Sequence, residues 1–349
     1  MTSRPVAPES VCILRLSAIG DTCHVVPVLR TLQQAWPHTR FTWVIGKTES
    51  RLMNLMDGVE FITVDKRAGL GAIGQLRRDL AGRRFDALLH MQLALRASLL
   101  ASQIRADVRV GFDRARAREL QWLFTNTRIS AHAREHVLDS FFGFAAALGV
   151  HERILRWDLP LPQQHLEHAA RALPEGRPAL IISPCSSHGL RNWRPERYAA
   201  LADHAVRRHG LRVLLCGAPT DGERCMAAAI EAAAGEKLEN RIGMDSLPQL
   251  LALLARAVVL VTPDSGPAHM ATMVGTPVIG LYAATNPARS GPYLSRHWCV
   301  NAYDEAALRF RHRAAAQLPW TEKIELPGVM DLIEVEAVTS RLDQVLAAR

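Results

Sequence analysis

What most limits the fold of this chain is one rhythm that recurs through both halves: a short apolar run, a tight turn, then an amphipathic stretch of helix length. The first instance is residues 11–16, then Ser17-Ala18-Ile19-Gly20-Asp21, then a helical pattern from about 22 to 35 with apolar side chains at 25, 26, 28, 29 and 32. Strand-like runs return at 40–45, 60–64, 87–90 and 108–111, with helical stretches between them. Strands alternating with helices predict a parallel sheet covered on both faces. Ligands bind such sheets at the carboxyl edge, where the turn 17–21 falls.

The rhythm breaks over 157–178, around two proline-bearing stretches, and this predicts an interdomain linker. It then resumes with strands at 179–183, 212–216, 257–261 and 278–282, and helices at 195–209, 221–234, 246–255 and 266–274. Apolar positions 332, 335, 338, 342, 345 and 346 make 331–348 an amphipathic helix, with Asp331 and Glu334 as a capping arrangement at its start. At ~150 residues per domain, 349 residues suit two domains. The predicted division is 1–165, 166–325 and a final helical segment 326–349.

A chain that is 48% hydrophobic and 22% charged is neither disordered nor fibrous. No run approaches the ~20 apolar residues of a spanning helix; the best, 250–261, contains Arg256. Residues 1–10 lack the apolar stretch of a secretory leader. The six cysteines (12, 23, 185, 216, 225 and 299) form no CxxC pair, which fits the reduced thiols of a cytoplasmic protein. Charge is uneven: 22 basic against 15 acidic residues over 1–165, and 20 against 19 over 166–349. A basic excess confined to one half suits an anionic partner, or is a solvated surface. Nucleic acid is disfavoured as that partner, because no basic motif is interleaved with aromatics and only 6% of residues are aromatic.

GxxxxGK[ST] is absent, which excludes the common P-loop solution. Four other loops follow predicted strands. In Thr262-Pro263-Asp264-Ser265-Gly266-Pro267-Ala268-His269, Asp264 or Ser265 can cap the next helix, whose free N–H groups suit phosphate. Ser183 to Trp193 offers Ser186, Ser187 and the planar fork of Arg191, with Trp193 expected as a packing wedge. Gly20-Asp21-Thr22-Cys23-His24 places a carboxylate at a helix start, either as a cap or as a general base. Asp221, after Cys216-Gly217-Ala218-Pro219-Thr220, is either a cap or a partner for ribose hydroxyls.

Taken together, the runs Ser17 to Pro27 and Pro263 to His269, with Gly275-Thr276-Pro277 and Thr285-Asn286-Pro287, resemble the signature motifs of the ADP-heptose lipopolysaccharide heptosyltransferases, glycosyltransferase family 9. The resemblance implies a GT-B fold: α/β, two doubly wound Rossmann-like domains facing across a cleft, with the C-terminal helix crossing back to the first domain. It implies an inverting, metal-independent transferase with no cofactor, in which Asp21 is the catalytic base. Ser186, Ser187, Arg191, Asp221, Asp264, Ser265, Gly266 and His269 match the donor positions. The family usually has Thr, Thr and Lys where this chain has Ser186, Ser187 and Arg191. Gly111-Phe112-Asp113 and Arg118-Glu119 resemble a first-domain segment whose arginine lies near the anionic acceptor, and His24, Lys66, Arg67 and Arg118 are the expected acceptor contacts. His90 departs from the acidic residue that the family often carries two before Gln92.

The implied partners are a nucleotide-sugar donor and an anionic lipopolysaccharide-core acceptor at the cytoplasmic face of the inner membrane, with no nucleic acid. No DxD-like metal motif occurs, which agrees with a diphosphate held by arginine and a helix terminus. The rival readings are a related transferase with another nucleotide sugar or a protein acceptor, and a non-catalytic binding protein.

Overall fold

The computed structural model describes residues 7–349. The expectation about a leader rests in part on residues 1–6, which lie outside the described residues. The chain divides into two compact units, Met1–Pro160 and Leu161–Arg349.

The first unit alternates β1 (Ser10–Leu14), α1 (Ile19–Ala35), β2 (Arg40–Gly46), α2 (Lys47–Met53), β3 (Val59–Val64), α3 (Leu70–Asp79), β4 (Phe85–His90), α4 (Leu95–Ala101) and β5 (Ala106–Gly111). A 3-10 turn (Gln121–Phe124), the two-residue β6 (Thr127–Arg128) and α5 (Val137–Ala147) complete it. All its strand pairs are parallel, in the order β3-β2-β1-β4-β5-β6. Its central strands bury on both faces, which is why β1 reads as an unbroken apolar run: Val11, Cys12, Ile13 and Leu14 are all fully buried.

The second unit contains α6 (Gln163–Ala172), β7 (Ala179–Ile182), α7 (Pro195–His209), β8 (Arg212–Leu215), α8 (Asp221–Ala233), β9 (Glu239–Asn240), α9 (Leu247–Arg256), β10 (Val259–Pro263) and α10 (Gly266–Met273). It ends with β11 (Val278–Tyr282), α11 (Pro287–Ser290), β12 (Val300–Asn301), α12 (Tyr303–Arg311) and α13 (Val335–Ala347). The order β12-β11-β10-β7-β8-β9, again parallel, repeats the plan of the first sheet. The expected α/β, doubly wound class holds in each unit.

Three expectations need correction. The stretch 157–178 is not only linker, because it holds α6, which packs on α9 and turns Ala169 into the core. The units therefore divide at 160/161 rather than at 165/166. The final segment, expected on the first domain, satisfies its apolar face in the second: α13 lies on α7 and buries Val338, Leu342 and Val345 in that unit's core. Nor do Asp331 and Glu334 form a cap. Helix α13 starts after Glu334 without a side-chain cap, and Asp331 sits in a 3-10 turn (Val329–Leu332) paired with Arg194. The strong Arg–carboxylate fork outcompetes a single capping bond for that side chain.

Candidate active site

A doubly wound sheet opens a ligand crevice where its strand order reverses, because the loops leaving the two strands there diverge to opposite faces. In the first sheet that point lies between β1 and β4. The loop after β1 leads to Asp21, at the third position of α1, whose Oδ2 accepts from the N-cap amide of Ala18 at 3.3 Å. Arg15, at the end of β1, forms an ion pair with Asp21 and donates through Nη1 to the carbonyl of Met91, in the loop after β4. Gln92 ties the same two loops, accepting from Leu16 N–H at 2.7 Å. Beneath them, a Cβ on Gly46 would stand 2.3 Å from the Leu16 carbonyl, so only glycine admits this close approach. Asp21 is thus an oriented, partly exposed carboxylate at the predicted edge, and its ion-pair partner Arg15 is largely buried.

In the second sheet the reversal lies between β10 and β7. Thr262, next to last in β10, donates to the Ser183 carbonyl at 2.8 Å and meets Ser265 Oγ at 2.7 Å, so the two loops are joined at the crevice. Ser265 is the N-cap residue of α10, but no side chain caps that helix. The expectation that Asp264 or Ser265 would do so fails because Thr262 engages the Ser265 hydroxyl instead. Gly266 and Pro267 open the helix, and His269 is buried one turn in. Beside them the Ser186 amide donates to Asn192 Oδ1 at 2.7 Å, which folds the Ser186–Ser187 turn back on itself. Arg191 is nearly buried there; it donates to Glu325 at 2.7 Å and lies 3.6 Å from Asp264. Burial pushes the Glu325 carboxyl up, but hydrogen bonding and charge from Arg191, with Lys323 and His188, outweigh it and hold the pKa below the ordinary carboxylate value. Trp193 is the expected wedge: fully buried, edge-on to Tyr198 at 5.2 Å, donating to the Ile333 carbonyl.

The structure thus brings Ser186, Ser187, Arg191, Asp264, Ser265, Gly266 and His269 into one neighbourhood at one sheet edge. Asp221 stands one strand away, exposed at the start of α8, whose cap is Thr220. The half-buried carboxylate at that edge is Glu223, which accepts from Ala218 N–H at 2.7 Å; burial raises its pKa, only partly offset by that bond. In the first unit Lys66 reaches the carboxyl edge near Gly46 but is bonded to Glu49 at 2.9 Å. His24 is buried one turn beyond Asp21, edge-on to the His136 ring at 5.3 Å. Arg67 and Arg118 lie on exposed loops.

Four residues of these sites escaped the sequence reading: Arg15, Gln92, Glu223 and Glu325. Three lie at or beside a strand or helix end and Glu325 lies in an irregular stretch, and only the pairing partner, distant in sequence for Gln92 and Glu325, reveals the role. His90 is buried and held neutral at the end of β4, its Nε2 3.0 Å from Ser98 Oγ. Among the described residues, one group of side chains could hold a metal ion, His204, His209 and Asp343. It joins α13 to the carboxyl-terminal part of α7, which leads back to the amino edge of the sheet, opposite the Arg191 loop.

Comparison with known proteins gives the family and the fold. The sequence profile of glycosyltransferase family 9 (heptosyltransferase) matches residues 73–345. The lipopolysaccharide core heptosyltransferase OpsX of Haemophilus influenzae is 40% identical over 339 residues, 97% of each chain. Among solved structures, a family 9 glycosyl transferase from Veillonella parvula superposes with a TM-score of 0.80 at 22% identity, covering 99% of this chain and 100% of its own. The Escherichia coli heptosyltransferase WaaC, solved with ADP, gives 0.72 at 21% identity, covering 96% and 99%. The fold is the GT-B type of these enzymes, and the chain belongs to glycosyltransferase family 9, the heptosyltransferases.

Proposed function

We propose that this glycosyltransferase moves a heptose from ADP-heptose to the inner core of lipopolysaccharide, with inversion and without a metal. The observation that carries this reading is the pairing of two differently equipped switch points: a carboxylate at the first, an arginine and an uncapped helix start at the second. The 40% identity with a lipopolysaccharide core enzyme, and the ADP in the solved structure of a relative, support the substrate class.

In this reading the donor diphosphate takes up the Arg191 fork and the N–H groups opening α10, with Ser186 and Ser187 as further donors. Those fixed charges stabilise the leaving ADP in the role that Mg²⁺ has elsewhere. Asp264, Ser265, Gly266 and His269 shape the pocket, and Asp221 and Glu223 stand where the ribose hydroxyls need acceptors. Asp21 takes the proton from the acceptor hydroxyl as its oxygen attacks the anomeric carbon. The C–O bond to ADP breaks as the new glycosidic bond forms, and a single displacement inverts the centre. The reaction requires that Asp21 come within reach of the bound donor. Arg15 orients Asp21, and the basic first unit, with Lys66, Arg67 and Arg118, attracts the anionic saccharide. The acceptor is lipid-borne, so the enzyme works at the cytoplasmic face of the inner membrane.

The test is incubation of the purified protein with ADP-heptose and defined truncated core acceptors, followed by product mass. Gain of one heptose supports the reading. No gain with any core acceptor, or equal use of UDP- or GDP-sugars, contradicts it.

A further inference from the structure

The carboxyl edge of the first sheet carries, beside Asp21, a surface that the transfer chemistry does not use. Among the described residues eleven large apolar side chains are exposed, and five of them belong to α4 and the 3-10 turn beside it: Leu95, Leu99, Leu120, Trp122 and Leu123. Leu95 and Leu99 stand one turn apart on the solvent face of α4, whose other face buries Ala97, Leu100 and Ala101. Leu120 and Leu123 are 51% and 58% exposed. Leu120 and Glu119 both take φ in the left-handed region (61° and 50°), a conformation that is strained for a non-glycine residue. That turn is what holds Leu120 away from the core.

Its position is fixed. Gln121, fully buried, donates to the carbonyls of His90 and Gln92, and Gln92 in turn donates to Ser17 Oγ at 3.4 Å and accepts from Leu16 N–H. A chain of side-chain hydrogen bonds therefore connects the apolar turn to the loop that carries Asp21. The rim of the patch is basic. The Arg114 guanidinium lies 5.5 Å from the centroid of the Trp122 ring, Arg96 and Arg118 are exposed beside it, and Glu119 is engaged by the Leu95 amide at 2.6 Å.

We infer that the α4 surface and the Leu120–Leu123 turn form a docking face for an anionic lipid bilayer. Exposed leucines with an interfacial tryptophan insert at the headgroup level, and the arginine rim meets acidic headgroups. The charge pattern favours lipid over a second copy of the chain, since two such faces would bring arginines together. The inference rests on the proposed lipid-borne acceptor, and it explains why the patch adjoins the base: docking there presents an acceptor at the membrane surface to Asp21.

The probe is vesicle flotation with phosphatidylcholine vesicles, pure or with about one third phosphatidylglycerol. The native chain should float with the anionic vesicles and roughly tenfold less with neutral ones. Leu120→Asn with Leu123→Ser, and separately Arg96→Glu with Arg114→Glu, should each weaken that binding by about tenfold, while Leu308→Ser on the second unit leaves it unchanged. All variants should transfer heptose to a water-soluble, deacylated core saccharide at the native rate. Absence of vesicle binding, or its survival in both double variants, overturns the docking face. So does self-association without lipid that the Leu120/Leu123 pair abolishes, which would assign the patch to a second copy. A native chain that binds vesicles but transfers no heptose refutes the proposed function alone; one that transfers heptose without binding vesicles refutes docking alone.

Discussion

Asp21 and Arg191 show how little a residue's type says before its partner is known. Both are ion-paired in this structure, Asp21 with Arg15 and Arg191 with Glu325. A diphosphate entering the second site must therefore compete with Glu325 for the guanidinium. Charge-assisted hydrogen bonds are worth about 1.5–3 kcal/mol each, so Arg191→Ala should weaken ADP binding by about tenfold to a hundredfold. Calorimetric titration checks this, and unchanged affinity would remove Arg191 from the donor site. His90 controls a different property. Burial, then the charges of Arg109 and Arg15, push its pKa down to about 3, against ~6.5 in an unfolded chain. Between those values the unfolded state holds a proton that the folded state lacks. Stability attributable to the neutral ring is therefore complete above ~6.5 and is lost as pH falls toward 3, by up to about 1.4 kcal/mol per pH unit. Urea unfolding of the native chain and His90→Asn at about pH 7.5 and about pH 5.5 should show the gap between them shrinking in acid. A gap independent of pH contradicts the assignment. The sequence placed Arg191 correctly in the loop after a strand, but read Asp21 in the turn 17–21, whereas it stands in the first turn of α1. It could not show Glu325 as a partner, since a pair spanning 134 residues leaves no local periodicity, and Arg15, six residues before Asp21, falls inside the apolar run 11–16.

Elements were legible where their pattern was long. Helix 195–209 and strand 278–282 were read to the residue, because a proline at the first helical position, a left-handed Gly210 at its end, and a fully buried apolar run are strong local signals. The two-residue edge strands β6, β9 and β12 carry no such signal and were missed. Helix α6 was hidden by its flanking prolines, and with one buried residue it has almost no apolar stripe. The placement of α13 failed for another reason: amphipathicity says that a helix must cover something, not what it covers. Its stripe holds the second unit together, so Leu342→Ala, at a fully buried position, should cost about 2–5 kcal/mol of that unit's stability. Differential calorimetry that resolves the units would show the loss in one transition, and an unchanged profile would contradict the packing.

At the scale of the whole molecule the two sheets follow one plan but carry different chemistry. The basic excess stays in the first unit, although several of its arginines are already paired, as Arg30 is with Asp158 and Arg116 with Glu135. Net charge therefore overstates what the first unit can offer an acceptor. If arginine and a helix start neutralise the leaving diphosphate, excess EDTA should leave the transfer rate unchanged, and a loss restored by Mg²⁺ would contradict that view. The proposed reaction divides its labour, with the base on one unit and the donor cradle on the other. It is tested most directly by measuring turnover and ADP affinity together in Asp21→Ala. Turnover should fall by about 10²–10⁴-fold with ADP binding unchanged. Turnover near the native rate, or loss of ADP binding in step with it, would contradict it.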